Sequence, residues 1–200
     1  MTPQPQPQQT NIYAHPHYVV RRKVFKLFGG AFHVYGPDGQ VVMYSKQKAF
    51  KLKEDIRLYT GEDMQVELLR ISARQMIDFS AAYDVVDPIQ NVRVGALRRK
   101  GLKSVLKDEW VILDAYEREV GLIQEDSWVM ATVRRFLTNI IPQSYTVSLG
   151  GTPIAVYKQN FNPFVYKLRL DFSRDPQFYL DRRLGLAAGI LLAAVEGRQG

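Results

Sequence analysis

The last twenty residues, DRRLGLAAGILLAAVEGRQG, contain the feature that most limits what this chain can fold into. From Leu184 to Val195 no side chain is charged or polar. A membrane-spanning helix needs about 20 mostly apolar residues, and charged residues flank this shorter run on both sides. A helix that is apolar on every side must otherwise be surrounded by protein. We therefore favour a buried core helix over the alternative of a membrane anchor.

The residues around this run predict the length and thickness of the helix. Asp175 followed by Pro176 is typical of an N-cap and a first helical turn. The predicted helix runs from Pro176 to about Glu196, roughly 30 Å at 1.5 Å per residue. Many of its residues are small, so that neighbouring elements can approach closely: Gly185, Ala187, Ala188, Gly189, Ala193 and Ala194.

Most of the remaining chain alternates polar residues with β-branched or aromatic ones, which is the period-two pattern of β-strands. Turn residues interrupt the pattern at five places: Pro37-Asp38-Gly39, Gly61, Asp87-Pro88, Tyr116–Glu119 and Gly150-Gly151. Five hairpins, with an opening strand from Tyr18 and a closing strand from Tyr166, make about twelve strands. We predict an all-β fold in which these strands close into an antiparallel barrel around the C-terminal helix. A closed barrel leaves no free sheet edge, and twelve strands leave room for one slim helix.

Two segments depart from the strand pattern. The apolar spacing in DSWVMATVRRFLTNIIP predicts an extra amphipathic helix over Ser127–Ile141 on the side of the barrel. We favour packing on the barrel over a place in a membrane interface for this helix. Residues 1–17 are rich in Pro and Gln and have neither charges nor the apolar core of a signal peptide, so we expect a disordered tail. Residues 18–200 then form a single domain.

The chain is basic, with a formal net charge of +7 and a pI near 9.6. A basic surface favours anionic partners, meaning nucleic acid or acidic lipid headgroups. The stretches ALRRKGLKSVLK and VVRRKVFK contain the candidate headgroup ligands: Arg98, Arg99, Lys100, Lys103, Lys107, Arg21, Arg22 and Lys23. A third stretch, KQKAFKLK, adds Lys46, Lys48, Lys51 and Lys53. The alternative is that these cations are scattered over the surface and serve solubility.

Side-chain alternation along a strand divides the first of these stretches between two faces. Arg98 and Lys100 should share one face, and Arg99 should lie on the other. One of the two faces is then the interior or the rim of the barrel, unless the strand has already ended.

No motif for catalysis, cofactor binding or metal binding stands out. The chain has no P-loop and no GxSxG sequence, and it has no cysteine, which excludes disulfides and thiolate ligands. Of the three histidines, His15 and His17 lie in the predicted tail and His33 lies in a predicted strand, without the geometry of a metal site. We therefore expect no enzymatic activity, no cofactor and no metal.

Four stretches give the chain a resemblance to a known family: RRKVFKLFGGAFHVYGPDG, YSKQKAFKLKEDIRLY, VRVGALRRKGLKSVLKDEWVILDAYEREVGLI and DRRLGLAAGILLAAV. Over Tyr18–Gly197 it resembles the LURP-one-related family, which has the tubby C-terminal-like architecture and is related to the phospholipid scramblases. The resemblance implies a barrel around a C-terminal helix, and a lipid-related function. Tubby domains bind phosphoinositides, and scramblases are assigned to lipid movement. The chain lacks the cysteine cluster and acidic calcium loop of scramblases, so calcium-triggered scrambling is not implied.

These observations lead to one functional expectation and one alternative. We expect a non-enzymatic, cytoplasmic domain that docks peripherally on anionic phospholipid at the inner face of the membrane, through basic loops. The alternative is a scaffold without a lipid role, which binds a protein partner or, less favoured, nucleic acid.

Overall fold

The protein is a closed antiparallel barrel of twelve strands around one C-terminal helix, as predicted. The computed structural model describes residues 11–25, 29–47, 55–74, 82–100, 109–126, 143–160 and 165–196. Each strand pairs with its neighbours in sequence, and β1 pairs with β12 to close the ring. The elements are β1 (His17–Phe25), β2 (Gly29–Tyr35), β3 (Val41–Gln47), β4 (Ile56–Tyr59), β5 (Glu67–Ala73), β6 (Ala82–Asp87), β7 (Val92–Arg99), β8 (Glu109–Leu113), β9 (Glu119–Glu125), β10 (Ser144–Leu149), β11 (Thr152–Gln159), β12 (Tyr166–Asp171) and α1 (Arg182–Glu196).

All five predicted hairpin turns are confirmed, and they lie at one end of the barrel, which we call the turn end. Each hairpin has a register shift typical of a β-bulge near its turn, at Val34/Tyr35, Leu58/Tyr59, Val85/Val86, Ile112/Leu113 and Val147/Ser148. A bulge bends its strand and increases the local twist. Repeated around one rim, the bulges give the sheet the curvature that closure needs.

The apolar C-terminal run lies inside the barrel. Every residue from Leu184 to Ala194 is buried, and α1 contacts β1, β6, β7 and β12. The small residues allow close approach, because a Cβ atom added at Gly189 would lie 2.7 Å from both methyl carbons of Leu170. The prediction of a core helix is thus confirmed. Within the described residues, no helix has the length and apolar character needed to cross a membrane.

The helix α1 begins at Arg182, six residues later than the predicted start at Pro176. Asp181 caps it, since its carbonyl oxygen accepts the Gly185 N–H at 3.1 Å and its Oδ1 accepts the Arg183 N–H at 2.9 Å. A side-chain oxygen that accepts an orphan N–H in the first turn is the usual N-cap interaction.

Asp175-Pro176 has the sequence of a helix start, but Asp175 forms a buried ion pair with Arg182 instead of capping a helix. Its carboxylate is fully buried and lies 3.3 Å from Arg182 Nη1, and it accepts the Tyr179 N–H at 2.8 Å. Phe178 between them has a φ of +56°, which a right-handed helix excludes. The segment before α1 is therefore an irregular turn held by a buried ion pair.

Residues 11–16 pack against the turn end, so the predicted disorder does not hold for this part of the tail. Ile12 and Tyr13 pack against the apolar core, and the Tyr18 hydroxyl donates to the Ile12 carbonyl at 2.8 Å. The side chains of Ile12 and Tyr13 thus hold this part of the Pro- and Gln-rich segment against the barrel. Residues 1–10 lie outside the described residues.

Candidate anion-binding surface

Two of the predicted headgroup ligands at the end of β7 form ion pairs with acidic neighbours. Arg98 and Lys100 share one face as predicted, and it is the outer face, where Arg98 donates to the Glu119 carboxylate and Lys100 Nζ lies 3.2 Å from Glu109 Oε2. Exposed pairs of this kind contribute little to stability, but each places a carboxylate beside the cation and so reduces the local positive charge. Two further candidates and the predicted side helix lie outside the described residues: Lys103, Lys107 and Ser127–Ile141.

Arg99 and Arg22 lie on the inner face of the barrel. Arg99 is the register partner of Trp110, whose side chain belongs to the core. Arg22 is 5% exposed, and its Nη1 donates to the Ala193 carbonyl at 3.4 Å. A cation near the C-terminus of a helix is favourable, so Arg22 stabilises the end of α1. We correct the sequence prediction here and leave Arg22 out of the candidate surface.

Arg21 and Lys23 lie on the outer face of β1, where Lys23 is exposed and Arg21 is half-buried, and barrel closure surrounds them with further cations. The outer faces of β11, β12, β1, β2 and β3 form one continuous surface, which we call the seam surface. Its six cations lie in three cross-strand rows of two: Lys158 with Arg169, Lys167 with Arg21, and Lys23 with Lys46. Lys158, Lys167 and Arg169 are the residues that sequence reasoning missed.

In two of these rows, like charges lie directly opposite one another. Lys158 is the Cα partner of Arg169, and Lys167 is the Cα partner of Arg21. The Cβ atoms of directly opposite residues are about 5 Å apart, and like charges in this position are destabilising. Among the described residues, no acid forms an ion pair with any of the six cations.

Most other cations in the described ranges are neutralised or buried, which makes the seam surface distinct. On the outer face of β5–β7, for example, Arg74 and Arg93 share the carboxylates of Asp84 and Glu117. The hydrogen bonds that Arg74 donates to these carboxylates raise its pKa. Beyond the six seam cations, Arg174 is the other exposed cation of the described residues without an ion pair. The surplus positive charge of the described chain is therefore concentrated on the seam surface.

Glu62 borders the seam surface but is engaged by a histidine. It comes from the β4–β5 turn, and His33 Nε2 donates to its Oε1 at 2.8 Å. This hydrogen bond lowers the pKa of Glu62, with a further contribution from the charge of Lys23. The Glu62 carboxylate therefore stays ionised at neutral pH without forming an ion pair with a seam cation.

Asp171 at the end of β12 is the second bordering acid. Its Oδ1 lies 3.3 Å from His17 Nδ1. Burial alone would raise the pKa of Asp171, but hydrogen bonds from Ser173 and the charges of His17 and Arg169 outweigh it and lower the pKa. Asp171 therefore partly balances the charge of Arg169 at the turn-end edge of the surface, although it forms no ion pair with either like-charged pair.

The arrangement of like charges gives a prediction for stability. We expect Lys167→Glu to stabilise the fold by about 0.2–1 kcal/mol at low salt, because it turns repulsion with Arg21 into attraction. The gain should shrink as salt screens the charges. Urea unfolding at two ionic strengths measures it. Lys100→Glu is the control and should destabilise, because Lys100 faces Glu109. Equal losses in both variants would contradict the like-charge pairing.

The seam surface presents cationic side chains on the outer face of the sheet. It offers guanidinium and ammonium donors on a convex sheet, without a nucleophile held by a base. Within the described ranges, no group of three His, Asp or Glu side chains could hold a metal ion. A surface with this excess of positive charge attracts negative charge.

Comparison with known proteins leaves the fold and this surface as the basis for assigning a function. No protein-family model, no curated protein and no solved structure matches the chain.

Proposed function

We propose that this protein is a non-catalytic domain that docks on anionic lipid headgroups through the seam surface. The observation that carries the proposal is the pair of directly opposed like charges, Lys158 with Arg169 and Lys167 with Arg21. Such pairs cost stability in the free protein, and an anionic layer would remove that cost. In addition, the Arg21 Nε atom is buried and has no hydrogen-bond partner among the described residues.

The magnitude of the attraction supports reversible docking. A basic residue near an acidic membrane contributes about 1 kcal/mol, and the effect falls off within a Debye length. Six cations on one face therefore supply several kcal/mol, which is enough for salt-dependent peripheral binding. The cations lie on β11, β12, β1 and β3, and this spread suits an extended layer of charge better than a single small anion.

A lipid surface is favoured over single-stranded nucleic acid by the lack of stacking groups. Proteins that bind single strands combine cations with exposed aromatic side chains on which bases stack. In the described part of the chain, no exposed aromatic side chain lies on the seam surface, and its exposed large hydrophobic residue is Val41 of β3. The resemblance to the LURP-one-related family points in the same direction, because its relatives include lipid-binding domains.

A charge-matched pair of variants tests the proposal. The seam variant replaces four unpaired cations with glutamine: Arg21, Lys158, Lys167 and Arg169. The control variant replaces four ion-paired cations with glutamine: Arg57, Arg70, Arg98 and Arg118. Both variants have a formal net charge of 7 − 4 = +3. At about 1 kcal/mol per residue, vesicle binding of the seam variant should fall about a thousandfold, and that of the control less than tenfold.

Co-sedimentation with vesicles of phosphatidylcholine and increasing phosphatidylserine, at two salt concentrations, is the measurement. Equal losses in both variants would show that binding follows net charge and not the seam surface. An absence of binding by the unmodified protein at low salt would reject the lipid proposal. Tight retention on single-stranded DNA with a steep salt dependence, but none on vesicles, would favour the nucleic-acid alternative.

A further inference from the structure

The turn between β12 and α1 presents two adjacent aromatic side chains to solvent. Phe178 is 47% exposed and Tyr179 is 77% exposed. Burial of a large aromatic side chain is energetically favourable. Two adjacent aromatic side chains that stay exposed in one turn are therefore unusual. The surroundings of this turn show that the exposure is built into the fold.

A buried ion pair between Asp175 and Arg182 connects the turn to the start of α1. Asp175 accepts the backbone N–H groups of Tyr179 at 2.8 Å and Leu180 at 3.2 Å, and it contacts Arg182. The Arg182 guanidinium carbon lies 4.3 Å from the centre of the Phe172 ring and 4.6 Å from that of Phe178. The guanidinium group thus connects the buried ring that follows β12 to the exposed ring above it.

The backbone at Phe178 is strained in a way that keeps its ring outside. A φ of +56° is rare for a bulky residue and costs free energy, and such strain persists only where the surroundings impose it. A helix starting at Pro176 would avoid this strain. Strained positions tend to occur at functional sites, and here the strain presents an aromatic side chain at the surface.

The turn that contains Phe178 and Tyr179, which we call the aromatic turn, begins at the turn-end edge of the seam surface, where β12 ends. It follows β12, whose outer face contributes Lys167 and Arg169. Arg174, the remaining unpaired cation of the described residues, is exposed in the same turn. The other large exposed hydrophobic side chains belong to hairpins between β2 and β9: Val41, Met64, Val66, Ile89, Val92 and Tyr116. Unpaired cations and exposed aromatic side chains therefore meet only at the turn after β12, among the described residues.

We propose that Phe178 and Tyr179 enter the interfacial layer of an anionic bilayer while the seam cations bind its headgroups. Aromatic side chains with a polar group, such as tyrosine, favour this layer because the ring is apolar and the hydroxyl stays hydrated. Arg174 would lie at headgroup level beside them. This inference rests on the proposed lipid docking and adds the orientation of the barrel on the membrane.

The absence of cysteine allows a clean test, because a single introduced cysteine can be labelled without background. Tyr179→Cys is labelled with an environment-sensitive fluorophore and mixed with phosphatidylserine-containing vesicles. We expect a blue shift, and quenching by lipids that carry a nitroxide near the headgroup. Tyr116→Cys is the matched control, since Tyr116 is 80% exposed on the β8–β9 turn, and its label should not respond.

Phe178→Ala gives an independent measurement on the unlabelled protein. We expect vesicle binding to weaken about tenfold, as for partial burial of one phenyl ring. The slope of binding against salt should stay unchanged, because no charge is removed. Circular dichroism and the unfolding midpoint confirm that the variant is folded.

The outcomes separate this inference from the proposed function. If the vesicles bind the protein through the seam cations but the label at position 179 does not respond, the inference is overturned and the proposed function stands. If the unmodified protein does not bind vesicles at all, both fail. An equal response of the labels at positions 179 and 116 would also overturn the inference, because the whole turn end would then face the bilayer.

Discussion

Gly189→Asp is expected to unfold the domain. Gly189 lies in the middle of α1, and Leu170 of β12 occupies the space that any added side chain would need. The substitution would bury an unpaired carboxylate and also displace Leu170, which is fully buried. An uncompensated buried charge costs several kcal/mol, against a net stability of about 5–15 kcal/mol for a typical domain. Soluble yield, near-ultraviolet circular dichroism and thermal unfolding measure the effect.

Graded substitutions keep this prediction testable even if Gly189→Asp gives no soluble protein. Gly189→Ala should be folded but less stable by about 1–3 kcal/mol from overpacking, partly offset by about 1 kcal/mol of helix propensity. Thr152→Asp places the same charge at the exposed start of β11 and should have almost no effect. A Gly189→Asp protein that stays folded and as stable as Thr152→Asp would contradict the buried position of α1.

Asp175→Ala is expected to cost about 3–5 kcal/mol, because it leaves the Arg182 charge buried without its partner. The Asp175 side chain is 0% exposed and that of Arg182 is 3% exposed. The variant also removes the acceptor for the N–H groups of Tyr179 and Leu180. Urea denaturation should show a lower midpoint with a nearly unchanged slope.

A double-mutant cycle distinguishes the ion pair from a general loss of packing. Arg182→Met should cost a similar amount, and the double variant should lose clearly less than the sum of the two single losses. Arg118→Ala, which breaks an exposed pair with Asp114, is the control and should cost less than about 1 kcal/mol. Fully additive losses in the double variant would show that Asp175 and Arg182 do not stabilise one another.

The sequence predicted the barrel well because its signals are local. Alternation identified the strands, and residues such as Gly39, with a φ of +77°, marked the turns. The small apolar residues of α1 predicted a helix that other elements approach closely, as Leu170 approaches Gly189. The start of α1 was placed too early because Asp175-Pro176 has the local form of a cap. Its real partner, Arg182, could be identified only from the packing of the turn.

The candidate site was predicted less well because runs of basic residues are a poor guide to shared surfaces. Within RRK of β1, Arg21 and Lys23 face outward and Arg22 faces the helix. Within LRRK at the end of β7, Arg98 forms an ion pair with Glu119 of the neighbouring β8–β9 hairpin. The alternation in YKLRLDF already put Lys167 and Arg169 on one face, but nothing near them in sequence showed which strand would lie beside them.

Local sequence patterns that span about ten residues were thus enough to predict the strands, the turns and the core helix. The seam surface needed more, because ring closure joins β1 and β12 from opposite ends of the chain. The register of that pair is set by inner side chains such as Val20 and Leu168, and a shift of one residue would reverse every side chain. Core packing therefore places Arg21 opposite Lys167 and directs Arg22 to the helix, and this arrangement depends on contacts that no local pattern contains.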